Sequence, residues 1–436
     1  MKKKLQSQIV VRYFVVICWI AYFSTYLGRL NYVAAMNEMV RIGFLTKPEA
    51  GMIGTGFFFC YGIGQLFSGF LGDRVPSRWM CFVGIAGSAM INLAMAFTEG
   101  SSGMLLLWCI NGFAQSLTWA PIIKILSERL NTEQCKKASV TMTTTVAVGT
   151  ISAYTLAALM IGVADWRGVF ATSSLILGGV SLLWLFAIGR IEKIADTSDN
   201  EYEVTAGVNA TLRENDTNVV NGAVPVTGNI WTLLLAMGVF PVMLCIVLQG
   251  ILKDGVMTWV PTYISEIYQL GSVTSILASI MLPITNLGGV YAAYYLNSRY
   301  FKNEVKTSGV CFAITASAIL TLVLFGGNHV IIAVVALSIT TSGMMGVNTM
   351  LISLLPLYFA KHNKVSTVTG ILNSCAYAGS AVSSFGIGLI SQYFDWEVTI
   401  IIWFILALIG AAICLAVRYQ WQKASQDKVL EASNEM

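Results

Sequence analysis

Charge is what this 436-residue chain lacks most: Asp, Glu, Lys and Arg together make up 11% of it, where soluble domains carry about 25%. So little charge cannot dress a water-exposed surface. Histidine is nearly missing, with two residues, and the nine cysteines are scattered without ligand spacing, most of them inside apolar runs. Neither a metal site nor a disulfide framework is expected. The glycine pairs Gly54-Thr-Gly56 and Gly62-Ile-Gly64 come without a strand, a phosphate-loop lysine or a following acid, so they read as helix-packing positions. No nucleophile stands beside a base and no carboxylate pair is evident, so the chain is not expected to be an enzyme and implies no cofactor. A net charge of +4 is too small to suggest nucleic acid or another polyanion as partner.

Apolar residues are what is abundant, at 56% with a mean hydropathy of +0.71. Crossing a bilayer takes about 20 predominantly apolar residues. Runs bounded by charge or turn residues predict twelve spans, near 11–36, 49–71, 79–97, 103–126, 138–163, 168–188, 230–259, 272–296, 308–325, 330–358, 365–390 and 396–418. The first, seventh and tenth are long enough to be tilted or broken. The opening Met1-Lys-Lys-Lys4 precedes a run with no small-residue cleavage site, which reads as an uncleaved first span.

With the amino terminus inside, the outer connections hold only Arg41, Lys47 and Arg167, and the loops on the opposite side hold the other loop and tail cations. That asymmetry predicts both termini cytoplasmic, and the chain is expected in the plasma membrane. Residues 190–229 are the one long hydrophilic stretch, with seven acids and three bases, and read as a flexible cytoplasmic linker. The chain then divides into a bundle over 1–189, the linker, a second bundle over 230–418 and a cytoplasmic tail over 419–436. Asp165-Trp166 recurs as Asp395-Trp396, and Arg29 in the first span is echoed by Lys253 in the seventh. Such an echo suggests two repeats with a substrate site near the midplane between them.

Three ionisable groups fall well inside the predicted hydrocarbon: Arg29, Lys253 and Asp254. Each cation there costs about 2.5–3.5 kcal/mol on insertion scales, so an anionic partner or ligand is expected. A structural ion pair of Asp254 with either cation is the alternative. Tyr22, Tyr26 and Arg29 share one helix face, as do Tyr61 and Gln65 on the second span. Phenols and an amide around a guanidinium make a wall suited to phosphate oxygens or sugar hydroxyls. Asp254, a neighbour of Lys253 about 100° around the helix, is expected to tune or gate. Asp73 and Arg74, in the turn Gly69-Phe-Leu-Gly-Asp-Arg-Val-Pro-Ser-Arg78, are candidate latch residues. The corresponding stretch after the eighth span, ending at Arg299, keeps a base and lacks the acid. Trp119-Ala-Pro121 and Trp259-Val-Pro261 place proline beside an aromatic, which suggests kinks lining a cavity. Lys124 is expected to snorkel.

The Gly69–Arg78 turn resembles the loop signature of the major facilitator superfamily. Tyr26-Leu-Gly-Arg29-Leu-Asn-Tyr-Val-Ala-Ala-Met36, Asn111-Gly-Phe-Ala-Gln-Ser-Leu-Thr-Trp119-Ala-Pro121 and Gly250-Ile-Leu-Lys253-Asp-Gly-Val-Met-Thr-Trp259-Val-Pro-Thr-Tyr263 resemble the organophosphate:phosphate antiporters. That resemblance implies an all-α membrane protein of twelve transmembrane helices in two pseudo-symmetric six-helix bundles, expected as a monomer in the bilayer. It also implies that Arg29 and Lys253 clamp a phosphoryl group, that Tyr22, Tyr26, Tyr61, Trp119 and Tyr377 line the cavity, and that a phosphate ester is exchanged for inorganic phosphate. Gln65 stands where glycerol-phosphate members carry a lysine, and Val146 where they carry a histidine. The site is therefore less positive, and a larger phosphorylated sugar or another organic anion is equally compatible. Two rivals remain: a proton-coupled carboxylate symporter with Asp254 as proton site, and a transport-like sensor of a sugar phosphate.

Overall fold

A computed structural model of the chain describes residues 4–5, 7–72, 75–206, 238–362 and 365–434. Asp73, Arg74 and the linker from 207 onward lie outside the described residues. The first span is two helices, α1 (Gln8–Leu27) and α2 (Leu30–Arg41), parted at Gly28 and Arg29. Five more follow: α3 (Lys47–Gly72), α4 (Ser77–Ala96), α5 (Ser101–Arg129), α6 (Thr132–Val163) and α7 (Trp166–Ala206). The second half opens with α8 (Val239–Ile267), and its next span is divided into α9 (Ser272–Ser279) and α10 (Met281–Leu296). Then come α11 (Glu304–Phe325), α12 (Val330–Asn348), α13 (Val365–Tyr393) and α14 (Asp395–Asn434).

These helices form twelve spans, ten of which combine the length and hydropathy needed to cross a membrane. The other two, α5 and α13, are 29 residues each and long enough to span. Their hydropathy is lowered by buried polar residues, among them Asn111, Gln115 and Thr118 in α5 and Ser380, Ser383 and Ser384 in α13. Of the three spans expected to be irregular, the first is broken, and the tenth leaves α-geometry through a π segment (Thr349–Leu354) and a 3-10 segment (Leu355–His362). The seventh is one helix, with Pro261 inside it, and Pro121 likewise sits within α5.

Two hydrophilic stretches differ from expectation. The span of α7 continues as helix to Ala206, through residues read as linker, and α14 continues through the tail to Asn434. Once a helix is nucleated in the membrane, each further residue needs only propagation. Both extensions are also tied down. Glu192 pairs with Arg78 at 3.7 Å, and Arg78 donates to the Leu185 carbonyl. On α14, the buried Trp421 donates its indole N–H to Glu304 at 3.2 Å. Glu304 also accepts from Tyr358 at 3.1 Å and Asn297 at 3.4 Å. Glu304 at the start of α11 thus ties α14 and the tenth span to the turn after the eighth span.

Across the seam between the halves, α3 packs on α13, and α6 packs on α9 and α10. Glycine lets α3 come close: a Cβ on Gly51 would stand 2.4 Å from the Ser384 carbonyl oxygen. Inter-bundle bonds cluster at the end carrying Arg41 and Lys47. There Lys47 pairs with Glu266 at 2.7 Å, and Trp396 donates to that carboxylate at 2.7 Å. Glu38 holds Arg41 at 2.7 Å and accepts from the Ser272 hydroxyl of the other half. Thr55 donates to the Ala381 carbonyl at 2.6 Å, and Tyr154 to that of Met257 at 3.3 Å. The same polarity appears in the core. One apolar cluster joins the whole second bundle to first-bundle residues from that end, such as Tyr32, Met36, Phe57 and Trp108. First-bundle residues nearer the termini, such as Phe14, Ile85, Ile125 and Trp184, form a separate cluster. Among the described residues, the apolar core joins the bundles at the end carrying Arg41 and Lys47.

Within the second bundle, α8 and α13 touch backbone to backbone, and a Cβ on Gly250 would stand 2.1 Å from the Ala376 carbonyl oxygen. Overpacking at such a contact costs about 1–3 kcal/mol. Gly250→Ala is therefore expected to lower the unfolding midpoint in detergent clearly, whereas Gly178→Ala, with open space at its Cβ, leaves it unchanged or slightly raised.

Candidate functional site

The break in the first span creates the site. Gly28 (φ −92°, ψ 2°) and Arg29 (φ −129°, ψ −39°) leave helical geometry, which frees the Gly28 carbonyl inside the hydrocarbon. An unsatisfied backbone group there is costly. Here the carbonyl accepts from Asn111 at 2.9 Å and Asn92 at 3.2 Å. Those amides are locked in turn: Asn31 donates to Asn92 at 2.7 Å, Ser88 to Asn111 at 2.7 Å, and Gln115 to Ser88 at 3.0 Å. All five side chains are fully buried. Only glycine fits against this cluster, since a Cβ on residue 28 would stand 3.0 Å from both Ser88 Oγ and Gln115 Nε2 and 2.5 Å from Leu177.

Arg29, held by that scaffold, meets aromatic faces. Its guanidinium carbon lies 4.0 Å from the Tyr26 ring centroid and 5.8 Å from that of Tyr61, within cation–π range. Among the described residues no carboxylate pairs with it. Tyr22 packs edge-on to Tyr26 at 5.6 Å and against Trp119 at 4.5 Å. Gln65 follows Tyr61 by one helical turn on α3, half-buried and without a side-chain partner among the described residues.

From Tyr61 the wall crosses the seam. Its ring lies 5.0 Å from that of Tyr377 on α13. Ser380, one turn beyond Tyr377, donates to Asp254 on α8, and Asp254 pairs with its neighbour Lys253 at 3.3 Å, each side chain 19% exposed. Tyr377 lies within electrostatic reach of both Arg29 and Asp254. Tyr377 and Ser380, three residues apart on α13, therefore stand between the ring contacts around Arg29 and the pair of Lys253 with Asp254. The neighbours expected to diverge around the helix curl back into contact, because an unpaired lysine in so dry a place is worse than a bent side chain. Lys124 lies apart from this line and pairs with Glu128 at 3.8 Å.

Residues 18–384 match the model of the major facilitator superfamily. The chain belongs to that superfamily. Its full-length relatives are distant. The membrane sensor protein UhpC of Salmonella typhimurium is 23% identical over 399 residues, 88% of this chain and 86% of the relative. The glycerol-3-phosphate transporter of Bacillus subtilis is 22% identical over 412 residues, covering 91% and 88%. A probable hexose phosphate transport protein of Chlamydia trachomatis is 22% identical over 428 residues, covering 94% and 90%. In fold, the chain matches the inward-facing, unoccupied crystal structure of a bacterial homolog of the human lysosomal transporter Spinster, with a TM-score of 0.72 at 10% identity, over 97% of this chain and 98% of that one. This superfamily member is a multi-pass transporter-type membrane protein and not an enzyme.

Sequence reading singled out the cations and tyrosines but not the amide scaffold or Ser380. The signal was there: Ser88, Asn92, Asn111 and Gln115 interrupt otherwise apolar runs at helical spacings. What they hold is not written in the spacing. Asn92→Leu removes one of the two donors to the Gly28 carbonyl, and losing such a bond costs about 1–3 kcal/mol. The expected result is a lower unfolding midpoint in detergent, although Arg29 itself is untouched.

Proposed function

We propose that this superfamily member is a secondary transporter of a small organic anion, a phosphorylated sugar or polyol, exchanged for inorganic phosphate across the plasma membrane by alternating access. The observation that carries this reading is Arg29: a membrane-depth guanidinium with tyrosine faces around it, no carboxylate partner among the described residues, and a ring contact from Tyr61 across the seam to Tyr377, on the helix whose Ser380 holds Asp254 beside Lys253. Arginine offers a planar fork and lysine a point charge to phosphate oxygens. An anion bound by both would draw the bundles together and lower the barrier to changing sides. Without cargo, the uncompensated Arg29 penalises that change, so exchange becomes obligatory. Tyr22, Tyr26, Tyr61, Gln65, Trp119 and Tyr377 would surround the sugar or polyol, and Asp73 and Arg74 would latch the cytoplasmic side.

The inter-bundle bonds around Lys47, Glu266, Glu38 and Ser272 support assigning the conformation as closed outside and open to the cytoplasm, with both termini inside. The full-length relatives named as glycerol-3-phosphate and hexose phosphate carriers support the substrate class. The relative named as a membrane sensor supports a second reading, in which the chain binds a sugar phosphate and signals instead of carrying it.

Counterflow in phosphate-loaded proteoliposomes tests the proposal: labelled sugar phosphate is expected to enter without dependence on a pH gradient. Uptake abolished by a protonophore would instead point to carboxylate symport, and binding without flux to the sensor. Charged hydrogen bonds contribute about 1.5–3 kcal/mol each, so Arg29→Ala is expected to weaken anion binding by roughly ten- to a hundredfold. Lys253→Ala should cost at least as much, because it leaves the Asp254 carboxylate facing the anion. Lys124→Ala should bind within about twofold of wild type, in keeping with the small worth of a partly exposed i, i+4 pair. Wild-type affinity in both Arg29 and Lys253 variants would refute the clamp.

A further inference from the structure

Of the two membrane-depth cations, Arg29 and Lys253, one has a carboxylate built in beside it. Asp254 contacts Lys253 at 3.3 Å, and its second oxygen accepts from Ser380, so both oxygens are engaged and the side chain is held in place from two helices. Arg29 has no carboxylate partner among the described residues and lies against the rings of Tyr26 at 4.0 Å and Tyr61 at 5.8 Å. The wall therefore carries two positive charges and one negative, a net of one positive charge. We propose that Asp254 is a specificity-determining residue that makes this a receptor for singly charged anions. The proposal rests on the anion-carrier reading above and sharpens it to the charge state of the cargo.

The physical argument is electrostatic. A ligand carrying two charges must either leave one uncompensated in a poorly solvated chamber or compete with Asp254 for Lys253, and in both cases it stands close to a fixed carboxylate. A ligand carrying one charge balances the net positive charge, and it can bridge Arg29 and a remaining donor of the Lys253 ammonium without displacing Asp254 from Lys253 or Ser380. Burying an unmatched charge costs far more than forgoing a contact. The phosphomonoester group has its second pKa near 6, so its singly charged form is the protonated one, dominant below that pH. The groups facing Asp254 do not confuse the comparison. From α13 they are Tyr377 and Ser380, and beyond Tyr377 come Tyr61, Tyr26 and Arg29. Phenols and guanidinium do not titrate between pH 5.5 and pH 8. Of the other helices packed on α8, α9 and α12 contain no ionisable residue, α2 carries Glu38 and Arg41 at its far end, and α14 meets α8 through Cys414 and Gly410, opposite Cys245.

The test uses purified full-length protein and two probes of one shape, glucose 6-phosphate and glucose 6-sulfate, the second singly charged at every pH used. Equilibrium binding is measured at pH 5.5 and pH 8. Wild type is expected to bind the phosphate at least about tenfold more tightly at pH 5.5, following its singly charged fraction, and the sulfate equally at both. Asp254→Asn, nearly isosteric, should tighten phosphate binding at pH 8 by about tenfold, the worth of one pKa-unit-sized interaction, and so reduce the pH dependence by about that factor. Asp254→Glu, which keeps the charge, should behave as wild type and guards against a mere folding defect. Equal phosphate affinity at both pH values in wild type, a sulfate affinity that itself rises at pH 5.5, or an Asp254→Asn variant that binds phosphate no better at pH 8 would each overturn the proposal. If neither ester binds, the phosphate-carrier reading fails separately. The charge rule is then judged on glucuronate against the doubly charged glucarate: wild type should prefer glucuronate and Asp254→Asn should lose that preference, and any other pattern refutes it.

Discussion

The structure is organised around the cost of keeping one guanidinium at membrane depth. Arg29 sits where an unpaired cation costs about 2.5–3.5 kcal/mol, and no protein carboxylate offsets it among the described residues. Cation–π contacts with Tyr26 and Tyr61 recover part of that cost. The remainder is met by geometry. The helix is broken at Gly28, the freed carbonyl is taken by Asn92 and Asn111, and the side chain turns toward the seam instead of lipid. Polar residues in α4 and α5 thus serve a residue in the first span, and their burial is tolerable because each is bonded to the next.

The second bundle treats its cation differently. Lys253 is given an adjacent acid, and that acid is fixed by Ser380 from α13. The two halves echo one another in position but not in electrostatics: one presents a bare charge, the other a compensated one. Pseudo-symmetry in the backbone therefore coexists with asymmetry in the field across the chamber.

Closure depends on a separate set of residues. Small side chains let α3 and α13 touch, and the polar clasps of Lys47 with Glu266 and of Glu38 with Arg41 and Ser272 sit at the same end. These bonds bind bundle to bundle, whereas Glu304, Trp421 and Tyr358 bind helices within the second bundle at the opposite end. Separating the two kinds of contact allows one end to part while each bundle keeps its own packing.

By itself the sequence determined the membrane, the twelve spans, the two-bundle plan and the identity of the buried charges, because these follow from how few charges there are and where they interrupt apolar runs. Periodicity also put Tyr22, Tyr26 and Arg29 on one face, since that is local helix geometry. It did not reveal that α7 and α14 continue as helix beyond the membrane, because their charged residues look the same in a helix as in a flexible stretch until partners such as Arg78 and Trp421 tie them down. It offered an ion pair of Asp254 with either Arg29 or Lys253 without deciding between them, and it did not reveal that Ser380 secures the pair with Lys253 or that amides 64 and 83 residues away from Gly28 hold the first span open. Those are contacts between helices distant in sequence, and only the packing of the bundles decides which side chains meet.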